Sequence, residues 1–139
     1  MKKILITDPL SEHGLEKLRK AEGIETIYRP ELSHTALLEI IPEVDALIVR
    51  SQTQVTAEVI RAGRRLKVIG RAGVGVDNID LTAATQQGII VVNAPDGNTI
   101  SAAEHTFALM ISLARQIPQA NYSLTQGKWE RKSFMGVEL

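Results

Sequence analysis

Lys67-Val68-Ile69-Gly70-Arg71-Ala72-Gly73-Val74-Gly75 runs from an apolar stretch straight into an arginine and a glycine-rich turn. A short apolar run bounded by turn residues suits a strand buried on both faces of a parallel sheet. Thr56–Arg64 before it and Leu81–Gln87 after it have helix length. The same alternation extends outward in both directions. Ile4-Leu5-Ile6-Thr7, Ala46-Leu47-Ile48-Val49 and Ile89-Ile90-Val91-Val92 are further apolar runs, while Ile24-Glu25-Thr26-Ile27-Tyr28 is mixed and suits a sheet edge. Ser11–Ala21 and Ser33–Ile41 supply two more helices, and Ser11, Ser33 and Thr56 stand where a hydroxyl can cap orphan N–H groups. Gly23 and Gly88 stop two helices where a left-handed residue is useful. Strands and helices joined by short links imply right-handed crossovers. The predicted fold is α/β: a doubly wound, parallel five-stranded sheet in the flavodoxin-like order 2-1-3-4-5.

After Val92 the rhythm changes. Asn93-Ala94-Pro95-Asp96-Gly97-Asn98 is rich in turn formers and leads to Ser101-Ala102-Ala103-Glu104, which reads as a capping box. A long helix is predicted over Ser101–Ile117, with Ile100, Ala103, Phe107, Met110, Ala114 and Ile117 in one stripe. Ala102, Leu109, Ile111 and Leu113 make its other faces apolar too. A five-stranded sheet has little room for such a helix, so it is expected to pack on a further domain or on a second subunit. Pro118 is expected to break it, Asn121–Gln126 to restart a helix, and the tail to form no further core unit.

Composition narrows the classes. The chain has 139 residues, 44% apolar and 23% charged, with sixteen basic against sixteen acidic side chains. Without a net positive field, neither nucleic acid nor an anionic membrane is an expected partner. No cysteine is present, which removes disulfides, thiolate metal sites and thiol nucleophiles. The opening Met1–Thr7 imitates a signal peptide, but Asp8 interrupts it too early. A cytoplasmic location is expected.

In a doubly wound sheet, ligands bind beyond the carboxyl ends of the strands. Asp8, Arg50-Ser51, Arg71-Ala72-Gly73-Val74-Gly75 and the Asn93–Asn98 loop all fall there. Guanidinium forks and glycine-turn N–H groups match carboxylates and phosphates, so an anionic small-molecule site is one reading. Two surface arginines beside a turn is the other. Gly73-Val74-Gly75-Val76-Asp77-Asn78 lacks the third glycine of a dinucleotide fingerprint and lies in the fourth unit, not the first. A phosphate-accepting receiver module shares the topology but needs an acidic residue after strand three and a lysine after strand five. Arg50 and Asn93 stand at those places. His13, His34 and His105 have no metal-ligand spacing, so no metal site is expected. Ser101 is read as a cap rather than a nucleophile, and Trp129 as a packing anchor.

Leu47–Ser51, Val68–Asp80 and Asn93–Glu104 closely resemble the NAD-dependent D-2-hydroxyacid dehydrogenases. Ala114–Ala120, Gly127–Arg131 and Phe134–Gly136 resemble the branch acting on a phosphorylated 2-hydroxy acid, 3-phosphoglycerate. The resemblance spans essentially the whole chain. It implies a substrate-binding domain over 1–98, then an interdomain helix and lead-in to a nucleotide-binding domain over 99–139. The family's glycine fingerprint and catalytic Arg, Glu and His would fall beyond Leu139, so no catalytic residue is assigned here. The chain by itself is expected to be inactive. The resemblance gives Arg50 and Ser51 to the substrate, Arg50 pairing its phosphate or carboxylate. Arg71 flanks the same cleft or braces the loop. Gly73, Val74 and Gly75 match the turn whose N–H groups hold the substrate carboxylate. Some relatives carry Thr where Val74 stands, so Val74 keeps only a backbone contact to NAD. Asn98 matches the asparagine facing the reacting centre. A homo-oligomer through helix 101–117 is also implied. Two alternatives stand beside the phosphorylated substrate: a hydroxypyruvate or glyoxylate reductase of the same family, and a non-catalytic binding or regulatory module.

Overall fold

A computed structural model describes residues 1–139, which form two compact units, Met1–Gly97 and Asn98–Leu139. In the first, β1 (Lys2–Ile6), β2 (Ile24–Tyr28), β3 (Ala46–Val49), β4 (Val68–Arg71) and β5 (Ile90–Asn93) make one sheet in the order 2-1-3-4-5. Every pairing is parallel. The mixed run Ile24–Tyr28 takes an edge, as its composition predicts. Alternating with the strands are α1 (Glu12–Arg19), α2 (His34–Ile40), α3 (Ala57–Ala62) and α4 (Leu81–Gln86). Ser11, Ser33 and Thr56 each accept a backbone N–H at the start of their helix. Asp80 does the same for α4, a cap the sequence reading did not pick out. Gly88 ends α4 at φ 66°, a conformation that costs an L side chain strain.

The register aligns Leu5, Leu47, Ile69 and Val91 across the sheet, so they share one face. Leu37, Ile41, Val59, Ile60, Ala83 and Ala84 from α2, the turn after it, α3 and α4 close over them in a continuous core. On the opposite face Ile6 is buried, as is Leu15 of α1, but Ile90 and Val92 remain 63% and 50% exposed. β5 is therefore not buried on both faces, contrary to its apolar sequence.

In the second unit, α5 spans Thr99–Ala114 and α6 Ile117–Thr125. The capping box does not form. Asn98 is the residue before the helix, and the Ser101 hydroxyl donates to its carbonyl (3.0 Å) instead of accepting an N–H. Nor does Pro118 break α5. The break is Gln116 at φ 52°, and Pro118 lies in the first turn of α6, where its missing N–H costs nothing. The tail also folds. Buried Ser123 donates to Glu130 Oε2 (2.6 Å), Val137 N–H donates to the Ala114 carbonyl (2.8 Å), and Arg131–Phe134 forms a 3₁₀ turn.

Candidate functional site

Parallel strands deliver all their carboxyl ends to one edge. Val49 pairs with Arg71 and Arg71 with Asn93, so the loops after β3, β4 and β5 begin side by side. Six predicted site residues come together here: Arg50 and Ser51 after β3, then Arg71, Gly73, Val74 and Gly75 at and after β4. Arg50 is exposed, with Nη1 donating to the Pro9 carbonyl at a long 3.4 Å, and Ser51 is exposed beside it.

The β4 turn is tied into the edge from both sides. Ala72 N–H donates to Val49 (2.8 Å), Ala94 N–H to Gly73 (3.0 Å), and Asn93 Nδ2 to the Val74 carbonyl (2.7 Å). Of its three expected N–H donors, Gly73 is already committed to the Arg71 carbonyl (2.9 Å). Turn closure consumes the first donor and leaves Val74 and Gly75, which have no partner within the chain. The Arg71 guanidinium lies across Gly73 where a Cβ would stand, and its Nε is buried without a partner. Glycine at 73 thus lets a cation rest directly over the turn. Beside Gly75, a Cβ would come within 2.9 Å of Asp77 Oδ1. Two guanidinium groups and two free N–H groups at one sheet edge are donors for a small anion.

Asn98 belongs to the second unit. Its side chain makes no capping bond, while its carbonyl accepts from Ala102 N–H and the Ser101 hydroxyl.

Beneath the edge lies a polar layer to which the sequence reading assigned no role. Asp8 is 1% exposed, and its carboxylate accepts N–H groups from Arg50 (2.6 Å), Gln52 (3.1 Å) and Thr53 (3.2 Å) together with the Thr53 hydroxyl. Asn78, 4% exposed, donates through Nδ2 to the carbonyls of Arg50 and Thr53, both at 2.7 Å. The only sequence signal was position: an aspartate directly after an apolar strand, and an asparagine closing the glycine turn.

A dinucleotide does not fit these residues as a whole. No third glycine follows Gly73 and Gly75 to admit a pyrophosphate, and Val74 offers an apolar side chain 39% exposed at the turn.

The model of the D-isomer specific 2-hydroxyacid dehydrogenase catalytic domain matches residues 4–132. The chain belongs to this family. It is 57% identical to the D-3-phosphoglycerate dehydrogenase of Archaeoglobus fulgidus over 99% of its own length and 26% of that protein's. A Thermus thermophilus protein superimposes with a TM-score of 0.86 at 30% identity, over 99% of this chain and 45% of that one. The NAD⁺-bound 3-phosphoglycerate dehydrogenase of Entamoeba histolytica does so with a TM-score of 0.73 at 33% identity, over 82% and 39%. The chain thus spans about a quarter of the length of the curated family members it matches.

Proposed function

We propose that this chain is the substrate-binding part of an NAD-dependent D-2-hydroxyacid dehydrogenase that oxidises 3-phosphoglycerate to 3-phosphohydroxypyruvate, the first step of serine synthesis. The observation that carries the reading is the pair of uncommitted N–H groups at Val74 and Gly75, flanked by the Arg71 and Arg50 guanidinium groups. In this reading the N–H pair holds the substrate carboxylate. Arg50 forks onto the phosphate or carboxylate, with Ser51 beside it. Arg71 holds positive charge over the turn through Gly73. The Asn98 amide, uncommitted to its helix, orients the substrate. Val74 would give this chain's backbone contact to NAD, which would supply the hydride acceptor and be held mainly by residues outside this chain. Residues 1–98 are then the substrate domain, and residues 99–139 the interdomain helix and lead-in to a nucleotide-binding domain. We further assign the enzyme to the cytoplasm and to a homo-oligomer paired through α5; no helix is long and apolar enough to cross a membrane.

Steady-state assays of the enzyme carrying this chain should show a clear preference for 3-phosphoglycerate over unphosphorylated 2-hydroxy acids. A preference for hydroxypyruvate or glyoxylate would reassign it within the family. The 139-residue chain alone should form no NADH, since hydride transfer needs a held nicotinamide and a base within reach. NADH formation by the purified chain would contradict the division of labour.

A further inference from the structure

We propose that Asp8 is a positioning residue for substrate binding, its buried carboxylate fixing the Arg50–Thr53 loop so that Arg50 is presented at the sheet edge. The proposal rests on the reading of Arg50 as a substrate ligand. No cationic side chain pairs with Asp8; the ion pairs of the chain lie elsewhere. Its charge is met instead by backbone N–H groups of Arg50, Gln52 and Thr53 and by the Thr53 hydroxyl, which also shares a 2.9 Å hydrogen bond with the Thr7 hydroxyl. Converging N–H groups form a concavity for an anion, and here the protein fills it with its own.

A buried carboxylate left without donors is costly, so the loop cannot relax while Asp8 stays inside. Asn78 closes the arrangement from the other side. With its two bonds to the Arg50 and Thr53 carbonyls, the backbone N–H and C=O of residue 50 and those of residue 53 are all engaged. What stays uncommitted is the apex: the Ser51 backbone and the donors of the Arg50 guanidinium not used by Pro9. Asp8 and Pro9 are adjacent, so one short segment fixes the base of the loop and the rest position of its arginine.

The test is a double-mutant cycle in the enzyme carrying this chain, with KM for 3-phosphoglycerate, kcat and melting temperature measured throughout. Asp8→Asn should raise KM about tenfold, the scale of one lost charge-assisted hydrogen bond, with kcat within about twofold. In an Arg50→Ala background the same substitution should add nothing, because the two act through one contact. A melting temperature that falls while KM stays unchanged makes Asp8 merely structural and overturns the proposal, as do effects that multiply in the double variant. If Arg50→Ala alone leaves KM unchanged, the substrate reading fails first and this one with it. Should Asp8→Asn not fold, Thr53→Val deletes only the hydroxyl arm. It should raise KM about twofold to threefold and be silent in the Arg50→Ala background. An unchanged KM would again overturn the proposal.

Discussion

Two aspartates at opposite ends of the sheet do different work with the same side chain. Asp8 at the carboxyl end faces backbone donors of the loop after β3. Asp45, just before β3, accepts the Lys3 N–H (2.9 Å), Arg65 Nη2 (3.1 Å) and Lys2 Nζ (3.4 Å), joining β1, β3 and the approach to β4. The Lys3 N–H, more than Arg65 or Lys2, holds the Asp45 pKa at about 2 against an ordinary 3.8, even though burial pushes the other way. A folded-state pKa below the unfolded one gives stability that is complete above about pH 4 and lost as pH falls through about 2. Denaturant titrations between pH 6 and pH 2 should therefore be steeper for the wild-type chain than for Asp45→Asn. Parallel profiles would show that Asp45 does not contribute to acid lability.

Among the elements, what could be read in the sequence was whatever a short window encodes. Four of the five strands are built on nearly continuous apolar runs, and three helices begin with their own hydroxyl caps, so the 2-1-3-4-5 sheet was legible. Illegible were features set by the backbone conformation of turns and helix ends, which a pattern of residue types does not encode. Ser101-Ala102-Ala103-Glu104 has the pattern of a capping box, yet α5 starts at Thr99 and Ser101 bonds the Asn98 carbonyl. Pro118 reads locally as a terminator, whereas the left-handed Gln116 already turns the chain and leaves Pro118 to begin α6. The bonds that shape the tail, Ser123–Glu130 and Ala114–Val137, are ones no periodicity reveals. At the site, both arginines and the glycine turn were legible. Commitment of the Gly73 N–H was not, since it follows from turn closure. Asp80 belongs to the same class: a cap on a helix of six residues, accepting Ala83 N–H at 2.9 Å. Asp80→Ala should cost about 1 kcal/mol, read as a lower urea midpoint with unchanged slope. No shift in midpoint would mean that α4 is held by Ala83 and Ala84 packing alone.

Helix α5 carries an apolar surface that its own unit does not satisfy. None of the 16 residues of α5 is buried, and Phe107 and Leu113 are 60% and 79% exposed. Ile100, Phe107, Met110 and Ile111 add to an apolar surface that runs around the helix rather than along one stripe. Monomers rarely leave contiguous apolar patches of this kind to water. A second copy is the partner always at hand, and a twofold contact buries the same residues from both chains at once. The 139-residue chain should therefore associate at micromolar concentration, driven by apolar burial and only weakly sensitive to salt. Phe107→Asp would place a charge in the seam and remove an aromatic anchor. It should weaken association by about 2 kcal/mol or more, while the first unit, whose core contains no α5 residue, keeps its melting temperature. Sedimentation equilibrium of both forms across that range reads the constants directly. A wild-type chain that stays monomeric at high concentration with α5 helical would rule the contact out, and equal association of the two forms would move the interface off α5.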